Sequence, residues 1–241
     1  MRPTPPRFSR KSARSNFRRM KTYKAALFDL DGTLADNYAA IHSALSDSFL
    51  KYGVPAPTYD EVFKTVGGSI LITARKILAA HGNDEALAQP VCEHYLKIFP
   101  ERMFDGLRPM PFAREIVAAL KSRGMKAACF TNKQQEGADA IVEKLGCELD
   151  AVVGTSLHSP RKPDPAFTER ALGVLGVSAG SAVGVGDSEY DYLAARGAGV
   201  DSALVATGAD SAPSLSGRCP ECLGVYENLA DLAAGVFGIA L

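Results

Sequence analysis

Apolar residues fall into two regimes along the chain. In the second half, short apolar runs stopped by polar or glycine residues alternate with stretches of helical period. The runs are Lys126–Phe130, ending at Thr131-Asn132, then Ala151–Gly154, Ala182–Val185, ending at Gly186-Asp187, and Ala203–Val205. A similar run, Lys24–Phe28, opens the body of the chain. Between them the period predicts helices over 111–124, 134–145, 165–175 and 188–196, several stopped by glycine, and a last helix near 229–234. From Asp36 to Met103 no strand alternation occurs. There Ile41, Leu45 and Phe49 share one helix face, and Ile70, Ala74, Ile77 and Leu78 another over 69–80. A third helix is expected over 84–99, interrupted at Pro90.

Strands alternating with helices of about ten residues mean βα units. The expected fold class is therefore α/β, a doubly wound parallel sheet with an inserted all-helical segment. The expected division is 22–35 with 106–241 as the sheet domain, 36–105 as the helical insert, and 1–21 as a disordered basic extension. Hinges between the two bodies are expected near 34–36 and 103–106, letting the insert open and close as a lid.

Charge separates the extension from the rest. Seven of the 27 basic residues lie in residues 1–19, which hold no acid, leaving 20 basic against 27 acidic for the body. An acidic body does not suggest a nucleic-acid partner, and no stretch reaches the roughly 20 apolar residues of a membrane span. The extension is rich in Arg, Ser and Pro; it fits an organelle-targeting composition or a floppy arm ahead of a start at Met20. Five cysteines without a secretory signal point to reduced thiols and a cytoplasmic location. Cys219-Pro220-Glu221-Cys222 has CxxC form but lacks a second ligand pair, so a surface loop is expected there.

In parallel sheets chemistry sits beyond the carboxyl ends of the strands. Asp29 and Asp31, two apart on a strand end, point the same way and repel. A hard divalent cation would offset that, Mg²⁺ being favoured by oxygen ligands. Alternatively, the pair caps a turn in solvent. Thr131-Asn132, Lys162 and Asp187 with Asp191 stand after other strands. Together they could form a metal site and a phosphate cradle, with Gly32, Thr131 and Asn132 donating to phosphate oxygens and Lys162 meeting charge on a transferring phosphoryl group. Singly, each also reads as a helix cap, turn or solvated loop.

The set Asp29-Leu30-Asp31-Gly32-Thr33-Leu34, Thr131, Lys162, and Gly186-Asp187-Ser188 with Asp191 resembles the four motifs of the haloacid-dehalogenase-like phosphohydrolases over residues 24–235. The layout is most similar to the phosphoglycolate-phosphatase-like subgroup, whose alpha-helical cap falls where the insert lies. The resemblance implies Asp29 as nucleophile forming an aspartyl-phosphate and Asp31 as general acid and base. It implies Mg²⁺ on Asp29, the backbone carbonyl of Asp31, and Asp187, with Asp191 in support, and phosphoryl binding by Thr131 and Lys162. Arg75 and Lys64 in the insert could face a substrate carboxylate or be solvated. The stretch 208–224 is longer and more polar than is usual in the family.

The expected activity is that of an Mg²⁺-dependent phosphatase acting on a small-molecule phosphate monoester, phosphoglycolate-like, in a monomer or homodimer. Phosphomutases and pyrophosphatases share the motifs. A receiver-like regulatory module joins similar residues but needs neither the insert nor the acid at Asp31.

Overall fold

The computed structural model describes residues 21–156 and 158–241. The basic extension, apart from Lys21, lies outside the described residues. In chain order, β1 (Ala25–Phe28) leads to a two-residue β2 (Ala35–Asp36), then α1 (Tyr38–Lys51), α2 (Tyr59–Thr65), α3 (Ile70–Ala80), α4 (Ala88–Arg102) and a two-residue β3 (Arg108–Pro109). There follow α5 (Ala113–Ser122), β4 (Lys126–Gln134), α6 (Gln135–Leu145), β5 (Ala151–Thr155), α7 (Pro165–Leu175) and β6 (Ala182–Gly186). The chain finishes with α8 (Glu189–Gly197), β7 (Asp201–Val205), α9 (Ala212–Arg218), β8 (Val225–Tyr226) and α10 (Leu229–Leu232).

Six strands form one parallel sheet in the order β5-β4-β1-β6-β7-β8. From β1 the chain builds outward on one side through β4 and β5, then returns to build the other side from β6. The topological switch therefore flanks β1, and the crevice where parallel sheets bind ligands opens at its carboxyl end. The apolar runs are buried on both faces, as the absence of polar alternation within them requires. Ala26, Phe28, Cys129, Val183 and Val185 join the packing of α5, α6 and α10. Ala25, Leu27, Ala128 and Phe130, one residue out of step, pack with α7 and α8. Helices thus cover both faces, and the doubly wound reading holds.

The insert is helical, as the sequence predicts, and its apolar side chains continue the first of those two clusters. Ala35 and Asp36 pair antiparallel with Pro109 and Arg108, tying its two connections side by side. This ribbon lies slightly beyond the 103–106 segment expected as the second hinge. Pro90 does not interrupt a helix. It stands in the first turn of α4, where a missing N–H costs nothing, and a 3₁₀ turn over Glu85–Leu87 precedes it.

Two further differences concern segments without strong periodicity. The segment Cys219–Cys222 is a turn just after α9, as the expected loop requires, but it is not all at the surface: Cys219 is buried with Leu215, Leu204 and Tyr192, while Cys222 is half-buried; all five thiols are free. The helix α2 is too short for a period but begins with a capping box. The Thr58 backbone N–H donates to Glu61 Oε2 at 2.7 Å, and the Glu61 N–H donates to Thr58 Oγ1 at 3.2 Å. Among the described residues no helix is long and apolar enough to cross a membrane. Thr58→Ala is expected to destabilise the protein by about 1 kcal/mol, read as a lower urea midpoint at unchanged slope.

Candidate active site

β1 delivers Asp29 to the switch point, where its N–H donates to the Val185 carbonyl at 2.8 Å. The chain then winds tightly: Thr33, Leu34 and Ala35 all donate N–H groups to Leu30 O, and Gly32 donates to Ala35 O at 2.8 Å. Gly32 has φ +89°, and a Cβ there would stand 2.6 Å from both Asp187 Oδ2 and the Tyr38 hydroxyl. Glycine is thus required twice, by backbone and by space. β4 contributes from the other side. Its pairing with β5 lapses between Phe130 and Gln134, so the strand reaches four residues past its expected end while Thr131–Lys133 bulge out over the site.

At the centre, Lys162 donates to Asp29 Oδ1 and to Asp191 Oδ1, each at 2.6 Å, with all three side chains buried. Its ammonium also lies 4.4 Å from the centroid of the Phe130 ring, a favourable cation–π placement. Asn132 holds the Lys162 backbone at both ends: Lys162 N donates to Asn132 Oδ1 at 2.8 Å, and Asn132 Nδ2 donates to Lys162 O at 3.1 Å. The second oxygen of Asp191 accepts from Ser188 N and Ser188 Oγ. Both Asp191 oxygens are therefore engaged, and it acts as the anchor of Lys162. Burial alone would lower the Lys162 ammonium, but Asp191 and Asp29 outweigh it and hold the group above its ordinary value.

Asp29 is pushed up to about 6, first by burial, against the pull of Lys162 and with repulsion from Asp191 and Asp31 added. Asp187 is pushed well above the usual carboxylate range by burial, then by Asp29 and Asp191. One oxygen from each of Asp29, Asp187 and Asp191 lies within 4.8 Å of the others. Asp187 sits in a cradle: a Cβ on Gly208 would come within 1.7 Å of its Oδ2, and Thr33 Oγ1 donates to its Oδ1 at 3.4 Å. Converging, buried, all-oxygen donors with too little positive charge fit a hard divalent cation such as Mg²⁺.

Asp31 faces a different space. Its Oδ2 pairs with Lys133 Nζ at 3.0 Å, and its Oδ1 is buried without a partner. It lines a cavity of about 430 Å³ between the sheet's carboxyl edge and the helical insert, together with Asn132 and Lys133. Thr131 is buried at the bulge, its Oγ1 accepting from Lys133 N at 3.2 Å. Of the residues singled out in the sequence, Asp29, Asp31, Gly32, Thr131, Asn132, Lys162, Asp187 and Asp191 come together. Arg75 and Lys64 do not: both are exposed, neither lines the cavity, and Lys64 pairs with Asp60 one turn away.

The structure adds Tyr38 and Thr207, which no motif flagged, and gives a partner to Lys133, which follows Thr131-Asn132. Tyr38 presents its hydroxyl beside Gly32, and burial with nearby Asp187 raises its pKa, keeping it a neutral donor. Thr207 donates to Gly32 O at 2.6 Å, fixing the loop from the far strand. Lys133 lies 4.6 Å from the centroid of Phe99 on α4, joining sheet edge and insert.

Fold and site together define a doubly wound α/β protein with a buried Asp–Lys–Asp cluster at its switch point, beneath a helical insert. The family model "Haloacid dehalogenase-like hydrolase" matches residues 26–205, and the chain belongs to that family. A phosphoglycolate phosphatase of Rhodospirillum rubrum is 32% identical over 218 residues, covering 87% of this chain and 89% of the relative. One from Caulobacter vibrioides is 30% identical over 190 residues, covering 77% and 80%. Among solved structures, a provisionally named phosphoglycolate phosphatase from Lactobacillus delbrueckii subsp. bulgaricus superposes with TM-score 0.81 at 27% identity, covering 90% of this chain and 99% of that one.

The raised carboxylates have a consequence for stability. The folded protein holds protons at Asp29 and Asp187 more tightly than the unfolded chain, so ionisation of Asp29 destabilises it as pH rises from 3.8 through about 6, and ionisation of Asp187 acts in the same direction. Metal-free protein is expected to lose stability over that window relative to Asp29→Asn, and Mg²⁺ to raise the Tm more at pH 7.5 than at pH 5. Melting curves of both proteins check this; a difference that runs the other way contradicts the electrostatics.

Proposed function

We propose that this chain hydrolyses a small-molecule phosphate monoester in two steps, with Asp29 as nucleophile and Asp31 as general acid and then base. Its family and its relatives support a phosphoric monoester hydrolase. The observation that carries the residue assignment is the pairing of Lys162 with Asp29 at the switch point, with Asp31 two residues on lining the adjacent cavity.

In the first step an Asp29 oxygen attacks phosphorus and the bond to the ester oxygen breaks. Asp31 gives its proton to that oxygen, so a neutral alcohol leaves. The unpartnered Asp31 Oδ1 is the atom suited to hold this proton, while Oδ2 accepts from Lys133. In the second step Asp31 takes a proton from water, the water oxygen attacks phosphorus, and the bond to Asp29 breaks, releasing phosphate. Lys162 orients Asp29 and, with Thr131, Asn132 and the backbone of Gly32, meets the phosphoryl oxygens. The Asp29 and Asp187 carboxylates and the Asp31 carbonyl would hold Mg²⁺, with Asp191 in support through Lys162. Bound there, Mg²⁺ supplies the positive charge that lets a carboxylate approach a phosphate dianion.

Phosphate release from a panel of monoesters is expected with Mg²⁺ and not with EDTA. Asp29→Asn is expected to lower kcat by about 10⁴-fold or more with the fold intact, as loss of a nucleophile does. Asp31→Asn is expected to accumulate a phosphoryl adduct on Asp29, detected by intact mass. Full turnover in Asp29→Asn would overturn the nucleophile assignment, and ester consumption without phosphate release would point to a mutase.

A further inference from the structure

The cavity next to Asp31 must receive the alcohol half of the ester, because Asp31 protonates the leaving oxygen. Its size and chemistry therefore describe the substrate. At about 430 Å³ it falls in the range of pockets that hold drug-sized molecules, and a two-carbon acid would fill a small part of it.

The insert's side of the cavity is apolar: Val66, Ile70, Leu71, Leu96, Phe99 and Met103 all face it. Its polar groups are neutral and mostly engaged already. Ser69 caps α3 by accepting from Ile72 N, Thr73 donates to Thr65 O, and Gln89 donates to Glu93. Among the described residues no Lys, Arg or His of the helical insert lines the cavity.

On the sheet side the charged lining residues are Asp31, Glu136, Lys133 and Arg161, which cancel in number. Lys133 is committed to Asp31 and to the Phe99 ring. Arg161 forms no ion pair among the described residues and is the lining cation left to meet an anionic group; elsewhere along the insert's wall a carboxylate would be desolvated without a partner, which is costly. An apolar body placed there gains by leaving water.

We propose that the natural ester joins phosphate to an alcohol with a sizeable apolar body, larger than the two-carbon acid of phosphoglycolate, seated against the apolar wall of the insert. This rests on the phosphatase reading above and specifies the substrate class of that same site. Leu71 and Leu96, half-buried on the cavity wall, are the specificity-determining positions.

The test uses ethyl, butyl and hexyl phosphate, whose leaving groups are chemically matched, alongside 2-phosphoglycolate. With Mg²⁺, kcat/KM is expected to rise about fourfold per added methylene, with hexyl phosphate well ahead of phosphoglycolate. Leu71→Lys, whose side chain has room to stay partly solvated, is expected to flatten the alkyl series and to raise kcat/KM for phosphoglycolate, with an unchanged melting temperature as the control on folding. A flat alkyl series with phosphoglycolate preferred would overturn the substrate assignment and leave the phosphatase reading standing. Absence of turnover with every ester would overturn both.

Discussion

The ammonium of Lys162, held at 2.6 Å from both Asp29 and Asp191, is the interaction on which the site depends. Without it, carboxylates from β1 and α8 would face each other in a buried space. Removing one partner from such a cluster typically costs about 3–5 kcal/mol, because the charge left behind has no water to turn to. Yet one lysine does not close the account. Among the described residues the only cations paired with Asp29, Asp31, Asp187 and Asp191 are Lys133 and Lys162. Two negative charges remain if all are ionised. The metal-free protein meets that deficit by holding protons, since burial first and then carboxylate repulsion push Asp29 and Asp187 upward. A divalent cation meets it directly.

The fold makes this arrangement possible by spending small residues where the groups converge. Gly32 and Gly208 let the loops after β1 and β7 close on Asp187, and a Cβ at Gly186 would overlap the Asp191 carboxyl at 2.2 Å. Charged and apolar groups are then divided between two bodies of side chains. The sheet's carboxyl edge supplies the charged groups, and the helical insert supplies an apolar wall. Lys133, paired with Asp31 and stacked over Phe99, touches both.

Much of the sheet and the site was legible in the sequence for one reason: strands buried on both faces read as unbroken apolar runs, and each ends where polar residues begin. That marks Asp29, Thr131 and Asp187 by position as well as by type, whereas Lys162 lies well beyond β5, in the loop before α7, and stood out through the family resemblance. The reading fails where local signals are short or contacts are long-range. β2 and β3 are two residues each and exist only because they pair with one another. The bulge at Thr131–Lys133 depends on pairing between Gln134 and Thr155, which no local pattern announces. Cys219 looks like part of a polar loop, and its burial is set by Leu204 and Tyr192 on other elements. Arg75 was attractive as a cation on the insert, but helix α3 turns it outward. The Thr58-to-Glu61 spacing of a capping box marks the start of α2, a local signal that hydrophobic periodicity alone passes over.

The claim that a divalent cation completes the charge of this site is tested most directly by titration calorimetry of Mg²⁺ into metal-free protein near pH 6, in two buffers of different ionisation enthalpy. One ion per chain is expected to bind, with protons released to the buffer as Asp29 and Asp187 ionise, and Asp187→Asn is expected to lose the binding while remaining folded. Folded wild-type protein that binds no Mg²⁺, or binding that Asp187→Asn leaves unchanged, would contradict the account.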